Sequence, residues 1–316
     1  MMNVDVATAA AEFRTIRDMV RYAVSRFNAA GVCYGHGTTS PWDEAVFMIL
    51  EGLKLPVDQL DPYLDARLSS EERFFLARLV DTRVTTRKPA SYLLRRAYMQ
   101  GIPFYVDERV IVPRSYIGDI LRSGLLTEEA EENPRPIRHV LDLCTGSGCL
   151  AILAALAFPE ADVHAVDLSA QALEVAKRNV RDHDLENRVT LFEGSLFSPL
   201  KANKYDLILT NPPYVDAQSM QELPPEFCHE PRMALAAGED GLDLIRCILD
   251  KAAGYLTDEG ILVCECGTGR SVLEHDYPEL DFAWLETEES FAEVFWLTKQ
   301  QLIQKNAVCG IVPCDR

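Results

Sequence analysis

The sequence predicts an α/β protein: a parallel, doubly wound sheet with an antiparallel last strand, preceded by a small helical domain. Three features point to it. From Ile137 onward, apolar runs of strand length alternate with helical segments, the pattern of parallel strands joined by crossover helices. Before about residue 88 only helical spacing is present. Between the two lies a short stretch of period two, read as a hairpin.

In chain order, Phe13, Ile16, Val20, Val24 and Phe27 recur at helical spacing. Ser40-Pro41-Trp42-Asp43-Glu44 resembles a helix start, with proline in the first turn, and Trp42, Ala45, Val46, Ile49 and Leu50 form an apolar face. Ser70, with Arg73 three residues on, offers a weaker cap before Phe74, Phe75, Ala77, Leu79 and Val80. From Pro89 to Pro113, Tyr92, Leu93, Tyr98, Ile102, Phe104, Val106, Val110 and Val112 suggest a hairpin turning near Gln100-Gly101, and Pro113 opens a helix to about Leu126. An acidic link, Thr127 to Pro136, closes this part. Strands are expected near His139–Leu143, Val163–Asp167, Val189–Glu193, Tyr205–Thr210, Ile261–Glu265, Phe282–Leu285 and Val294–Thr298. Helices are expected near Cys149–Phe158, Ala170–Asp182 and Leu242–Leu256. The expected domains are residues 1–88 (helical), 89–136 (hairpin and helix linker), 137–303 (sheet) and 304–316 (loose tail).

With 48% hydrophobic and 25% charged residues, the chain of 316 reads as globular and soluble. No apolar run reaches membrane-spanning length, and the acid-bearing first residues do not read as a secretory signal. Nine cysteines without a Cys-x-x-Cys pair read as reduced thiols of a cytosolic protein, and six scattered histidines show no metal spacing. The net charge of −18 argues against broad electrostatic binding to nucleic acid, so no direct DNA binding is expected. Charge is uneven: residues 71–122 hold ten basic and six acidic residues, and 219–293 hold four basic and eighteen acidic. That is a solvated acidic surface, or a face that steers a basic protein.

Val140 to Cys149 reads as a strand, a glycine turn and a helix start. Gly146 and Gly148 allow close backbone approach to a ligand. Alanine at 151 leaves a dinucleotide open, and the absence of a following lysine excludes a Walker loop. Asp167 ends the second strand, 25 residues after Asp142. A carboxylate there binds a ribose diol, or caps the next helix through Ser169. Asp142 orients the loop, or reaches a ligand amino group through water. An adenosine-like ligand fits best.

Lys204 to Tyr214 supplies the second half of the site. Tyr205, Leu207, Ile208 and Leu209 form a buried strand that stops at Asn211-Pro212-Pro213-Tyr214. The prolines donate nothing to a ladder and hold Asn211 extended at the strand end. The Asn211 oxygen and the Pro212 carbonyl can together accept both hydrogens of a planar NH2 group, and Tyr214 can cover its face. A simple proline turn after a core strand is the alternative.

The glycine turn, Asp167 and this tetrad together resemble the S-adenosylmethionine-dependent methyltransferases with an Asn-Pro-Pro-Tyr motif, over the chain from Pro89 to Leu302. Within them the chain is similar to the protein glutamine methyltransferases. Pro113-Arg114-Ser115-Tyr116 and Glu293-Val294-Phe295-Trp296-Leu297-Thr298 look like the ribosomal-protein branch rather than the release-factor branch. The resemblance implies a Rossmann-like, seven-stranded class I methyltransferase domain, joined by a β-hairpin linker to an N-terminal helical substrate-recognition domain. It implies S-adenosylmethionine as cofactor, held by Asp142, Thr145, Gly146, Gly148, Asp167, Leu196 and Asn211. It implies a ribosomal protein, the third of the large subunit, as the partner methylated on a glutamine. Asn211, Pro212 and Tyr214 become the catalytic residues, and Pro213 and Arg114 join them in holding substrate; a structural ion pair is the other role for Arg114. The rivals are methylation of a release factor or of a nucleic-acid amino group, a non-catalytic scaffold, and a nucleotide-dependent dehydrogenase, which leaves the tetrad without purpose.

Overall fold

A computed structural model describes residues 4–126, 136–286 and 292–308, with backbone only for 305–308. The chain divides into two compact units. One takes the chain up to Ala97, together with Val106–Glu108 and Leu223–His229; the other takes the remainder.

The first unit is helical: α1 (Val6–Glu12), α2 (Ile16–Ala30), α3 (Pro41–Gly52), α4 (Ser70–Thr86) and the short α5 (Ala90–Leu94). Local chemistry sets the starts. Thr15 and Asp18 form a capping box on α2, and Ser40 caps α3 with Pro41 following. The α4 cap is Ser69, not Ser70. Glu72 reaches back to the Ser69 N–H at 2.7 Å, which a side chain that only donates, such as Arg73, cannot do. Ile16, Val20, Phe27, Ala45, Met48, Ile49, Leu76 and Val80 make the core. Trp42, Phe74 and Phe75, expected on apolar faces, are instead about half exposed. Tyr92 and Leu93 sit in α5, so the period two seen in sequence overstated the hairpin.

Arg83 is the largest fully buried side chain of this unit. Its Nε donates to Glu44 Oε1 at 2.6 Å, its Nη2 donates to the Cys33 carbonyl at 2.9 Å, and Glu226 Oε1 lies 3.5 Å from Nη1. Glu226 also accepts from the Cys33 N–H and from Arg87.

The second unit takes all but the first residue of the hairpin β1 (Ala97–Met99) and β2 (Ile102–Phe104). Its turn residues, Gln100 and Gly101, both have positive φ (54° and 76°), the primed geometry that matches strand twist. Next come α6 (Ile117–Ser123), ending earlier than expected at left-handed Gly124, then β3 (His139–Leu143), α7 (Cys149–Ala157), β4 (Asp162–Asp167), α8 (Ala170–Asp182), β5 (Val189–Glu193) and β6 (Tyr205–Thr210). After them run α9 (Ser219–Glu222), α10 (Asp243–Lys251), β7 (Leu256–Glu265), α11 (Arg270–Asp276), β8 (Ala283–Leu285), β9 (Val294–Thr298) and α12 (Lys299–Val308). The helix expected to reach Leu256 stops at Lys251, and a 3-10 turn, Ala252–Gly254, passes directly into β7. The tail read as loose from Gln304 continues as helix to Val308. Of the acidic link, Thr127 and its neighbours up to residue 135 lie outside the described residues.

The seven strands run β5-β4-β3-β6-β7-β9-β8, parallel except for β9. This is the expected doubly wound sheet. Both faces are covered: Leu207 and Leu209 of β6 pack into the cluster with α6 and α7, and Ile208 packs into the one with α10. Chain order reverses between β3 and β6, which opens a crevice at their carboxyl ends.

Removing the Arg83 guanidinium leaves the buried Glu44 without its cation and Glu226 with Arg87 alone. Arg83→Ala is expected to destabilise the helical unit by about 3–5 kcal/mol in urea unfolding followed by circular dichroism; an unchanged midpoint would contradict this role.

Candidate active site

The crevice at the reversal point is built from strand ends. Leaving β3, Cys144 takes a left-handed conformation (φ 60°), and Gly146 takes another (φ 56°). The loop is tied to its neighbour strand: the Thr145 N–H donates to the Val166 carbonyl, and the Gly146 N–H to Asp167 Oδ2 at 2.8 Å. Asp167 Oδ1 accepts from the Ser169 N–H at 2.8 Å, so the carboxylate holds the glycine turn and the start of α8 together. Each oxygen keeps a lone pair, and Asp167 lines the cleft with Gly146, Leu196, Asn211 and Pro213. Burial raises the Asp167 carboxyl above its ordinary value, against the pull of those N–H donors.

Behind this lining, Asp142 is fully buried and works on the loop. Its Oδ2 accepts from the Thr145 hydroxyl at 2.5 Å and from the Ala151 N–H at 3.1 Å. Burial pushes its pKa up to about 7. Of the two roles left open for Asp142, orienting the loop is the one these bonds perform; neither Asp142 nor Thr145 lines the cleft. Gly148 does not line it either. A Cβ there would sit 3.1 Å from the Ala176 Cβ, so this glycine lets α7 approach α8. Gly146 is different: nothing lies within 4 Å of where its Cβ would be, which leaves that side open to a ligand.

Across the cleft, Asn211 follows β6. Its Nδ2 donates to the Arg114 carbonyl at 3.0 Å. A carbonyl accepts only from the NH2 end, so this bond fixes the amide's orientation and leaves Oδ1 as a directed acceptor. Pro212 is buried and Pro213 reaches the cleft. The Tyr214 ring lies against the Cα of Gly267, where a Cβ would come within 2.7 Å of it. Its hydroxyl donates to Glu265 Oε1 at 3.0 Å. Burial, then the Glu265 charge, raise the phenol well above 10.0.

Two buried carboxylates escaped the sequence reading, and both hold the segment 112–116. Glu230 accepts a two-pronged pair from Arg114, at 2.6 and 2.7 Å, and the Val112 N–H at 2.9 Å. Arg114 is therefore engaged in a structural ion pair, and its carbonyl rather than its charge serves Asn211. Glu265, at the end of β7, accepts the Ser115 hydroxyl at 2.6 Å and the Tyr116 N–H at 3.0 Å besides Tyr214. Burial pushes Glu265 up to about 7. Asn179, also unforeseen, bonds the Tyr105 backbone and the Ser147 carbonyl, joining the hairpin's end to the glycine turn. Among the described residues no cluster of His, Cys, Asp and Glu is placed to hold a metal ion.

A glycine turn and a strand-ending acid facing an Asn-Pro-Pro-Tyr turn across the reversal point of a seven-stranded sheet define a methyltransferase. A family model described as the methyltransferase small domain matches residues 122–242. The chain is 54% identical over 295 residues to a ribosomal protein uL3 glutamine methyltransferase of Bradyrhizobium diazoefficiens, covering 92% of each chain. It is 53% identical to that of Bordetella pertussis (92% of this chain, 97% of the relative). It is 49% identical to that of Burkholderia pseudomallei (94% and 98%). The chain belongs to the family of ribosomal protein uL3 glutamine methyltransferases.

Two outcomes test this geometry. Glu230→Ala leaves a buried N–H and a half-released arginine, and is expected to cost roughly 2–3 kcal/mol in chemical denaturation. Asp142 holds its proton in the fold up to about 7, whereas the unfolded chain releases it near 3.8. Below both values the carboxyl adds no pH dependence; between them stability falls as pH rises. The stability of the native protein relative to Asp142→Asn is therefore expected to decline from pH 4 to 7. A pH-independent difference would contradict the raised pKa.

Proposed function

We propose that this protein transfers the methyl group of S-adenosylmethionine to the side-chain amide nitrogen of a glutamine in ribosomal protein uL3. The observation that carries the reading is the fixed Asn211 amide. With Nδ2 held by the Arg114 carbonyl, Oδ1 is an acceptor at the rim of the cleft that Gly146 and Asp167 line. Relatives sharing about half the sequence over nearly its whole length, and named for uL3, support the choice of substrate. They favour it over release factors and nucleic-acid amines.

The residues present fit the cofactor. Asp167 offers free lone pairs for a pair of hydroxyls, and Gly146 leaves open space beside the backbone. When bound, the cofactor supplies an electrophilic methyl on a positively charged sulfur. The chain's task is the nucleophile. An amide nitrogen shares its lone pair with the carbonyl and attacks poorly. Accepting both N–H groups on Asn211 Oδ1 and the Pro212 carbonyl sets the nitrogen's plane and direction. Orientation of this kind lowers a barrier by several kcal/mol, up to about 7–11 in ideal cases. Transfer would join the methyl carbon to the nitrogen and leave the C–S bonding pair on sulfur; the nitrogen, then cationic, would lose one proton to water. Tyr214 closes the tetrad with a flat ring.

Asn211→Ala is expected to lower methyl transfer to uL3 by at least about 10²-fold while calorimetric cofactor affinity stays within about threefold. Asp167→Ala is expected to weaken that affinity. Label appearing in another protein but not on a uL3 glutamine would overturn the substrate; unchanged affinity in Asp167→Ala would remove its role.

A further inference from the structure

We infer that Glu265 is a positioning residue for methyl transfer, because its single carboxylate fixes Tyr214 and the segment that orients Asn211 at the same time. The inference rests on the amide-methylation reading above and deepens it.

The sheet puts Glu265 there. In the parallel pair β6–β7, Thr210 sits opposite Cys264, so Asn211, just past β6, comes beside Glu265, the last residue of β7. Glu265 is only 2% exposed. Its Oε1 holds the Tyr214 hydroxyl, and its Oε2 holds the Ser115 hydroxyl and the Tyr116 N–H. A buried carboxylate is costly unless hydrogen-bonded, and a cation would be the usual remedy. Among the described residues none forms a salt bridge with Glu265; all three partners are neutral donors. They come from the two segments that carry the candidate chemistry: the tetrad, and the residues adjoining Arg114, whose carbonyl holds Asn211. A residue kept only for stability has no reason to draw its partners from these two places.

The charge state of the carboxyl governs this grip. The charged and titratable groups around it are Tyr214 from the tetrad, Glu293 ahead of β9, Arg114 near Tyr214, and the thiols of Cys264 and Cys266 on either side of it in the chain. Burial raises Glu265 to about 7. Ionised, it accepts all three hydrogen bonds. Protonated, it must donate one, which turns the Tyr214 or Ser115 hydroxyl around. In Glu265→Gln the carbonyl can keep Ser115 and Tyr116, but an NH2 then faces Tyr214 and reverses that bond. Shape is preserved and polarity is not.

The test uses the full chain with Glu265→Gln, Tyr214→Phe and the double variant. Labelled methyl transfer to uL3, cofactor calorimetry and thermal melting are measured, with tyrosine carrying 13C at the ring carbon that bears the hydroxyl. Glu265→Gln is expected to lower kcat on the order of 10²-fold, with KM for uL3 and cofactor affinity within about threefold. The double variant should be no worse than the poorer single one. The native kcat should fall as pH drops below about 7, and that limb should vanish in Glu265→Gln. An unchanged kcat, or a loss matched by lost folding or cofactor affinity, overturns the inference while leaving the methylation reading intact. Failure of the native protein to label uL3 overturns that reading instead. In that event the Tyr214 13C signal decides: a shift with midpoint near 7, absent in Glu265→Gln, supports the positioning role, and no shift refutes it.

Discussion

Two carboxylates, Glu230 and Glu265, are buried against one five-residue segment, and the rest of the site's geometry follows from that. Neither has water to solvate it, so each must be surrounded by donors. Glu230 takes the Arg114 fork and the Val112 N–H; Glu265 takes Ser115, Tyr116 and Tyr214. With its side chains anchored on both sides, the segment has one position for the Arg114 carbonyl. That carbonyl in turn gives the Asn211 amide one orientation. A weak nucleophile needs this rigidity more than it needs a base, because the barrier lies in aligning a delocalised lone pair.

The sheet divides the work. In the proposed function the cofactor half falls to the ends of β3 and β4: the left-handed turn from Cys144 to Gly146, and Asp167 tying it to the start of α8. The substrate half of that proposal falls to the ends of β6 and β7, where parallel register sets Asn211 beside Glu265. Asp142 works on the loop from beneath. It spends its buried oxygen on Thr145 and Ala151, which holds the loop's shape.

Much of this was legible in the sequence. The strands of the sheet, the glycine turn, Asp167 and the Asn-Pro-Pro-Tyr turn all announce themselves through local signals: period, proline, glycine and an acid at a strand end. The deciding contacts of the site do not. Arg114 meets Glu230 across 116 residues, and Ser115 meets Glu265 across 150, and no local pattern reports such pairs. Glu265 was visible only as a polar residue between two cysteines. The clue was there in its place: the last residue of the strand next to the one that Asn211 follows. At Gly148 the structure adds a use that no local pattern reports: its missing side chain makes room for Ala176. Trp42 and Phe75 misled because helical spacing identifies a face but not whether anything packs on it.

The most direct measurement of the central claim is a crystal structure of the protein with S-adenosylhomocysteine and a glutamine-bearing segment of uL3. The account requires the glutamine NH2 to bridge Asn211 Oδ1 and the Pro212 carbonyl at hydrogen-bond distance, with its nitrogen aimed at the sulfur. A glutamine seated elsewhere, or an Asn211 amide turned away from the Arg114 carbonyl, would contradict it.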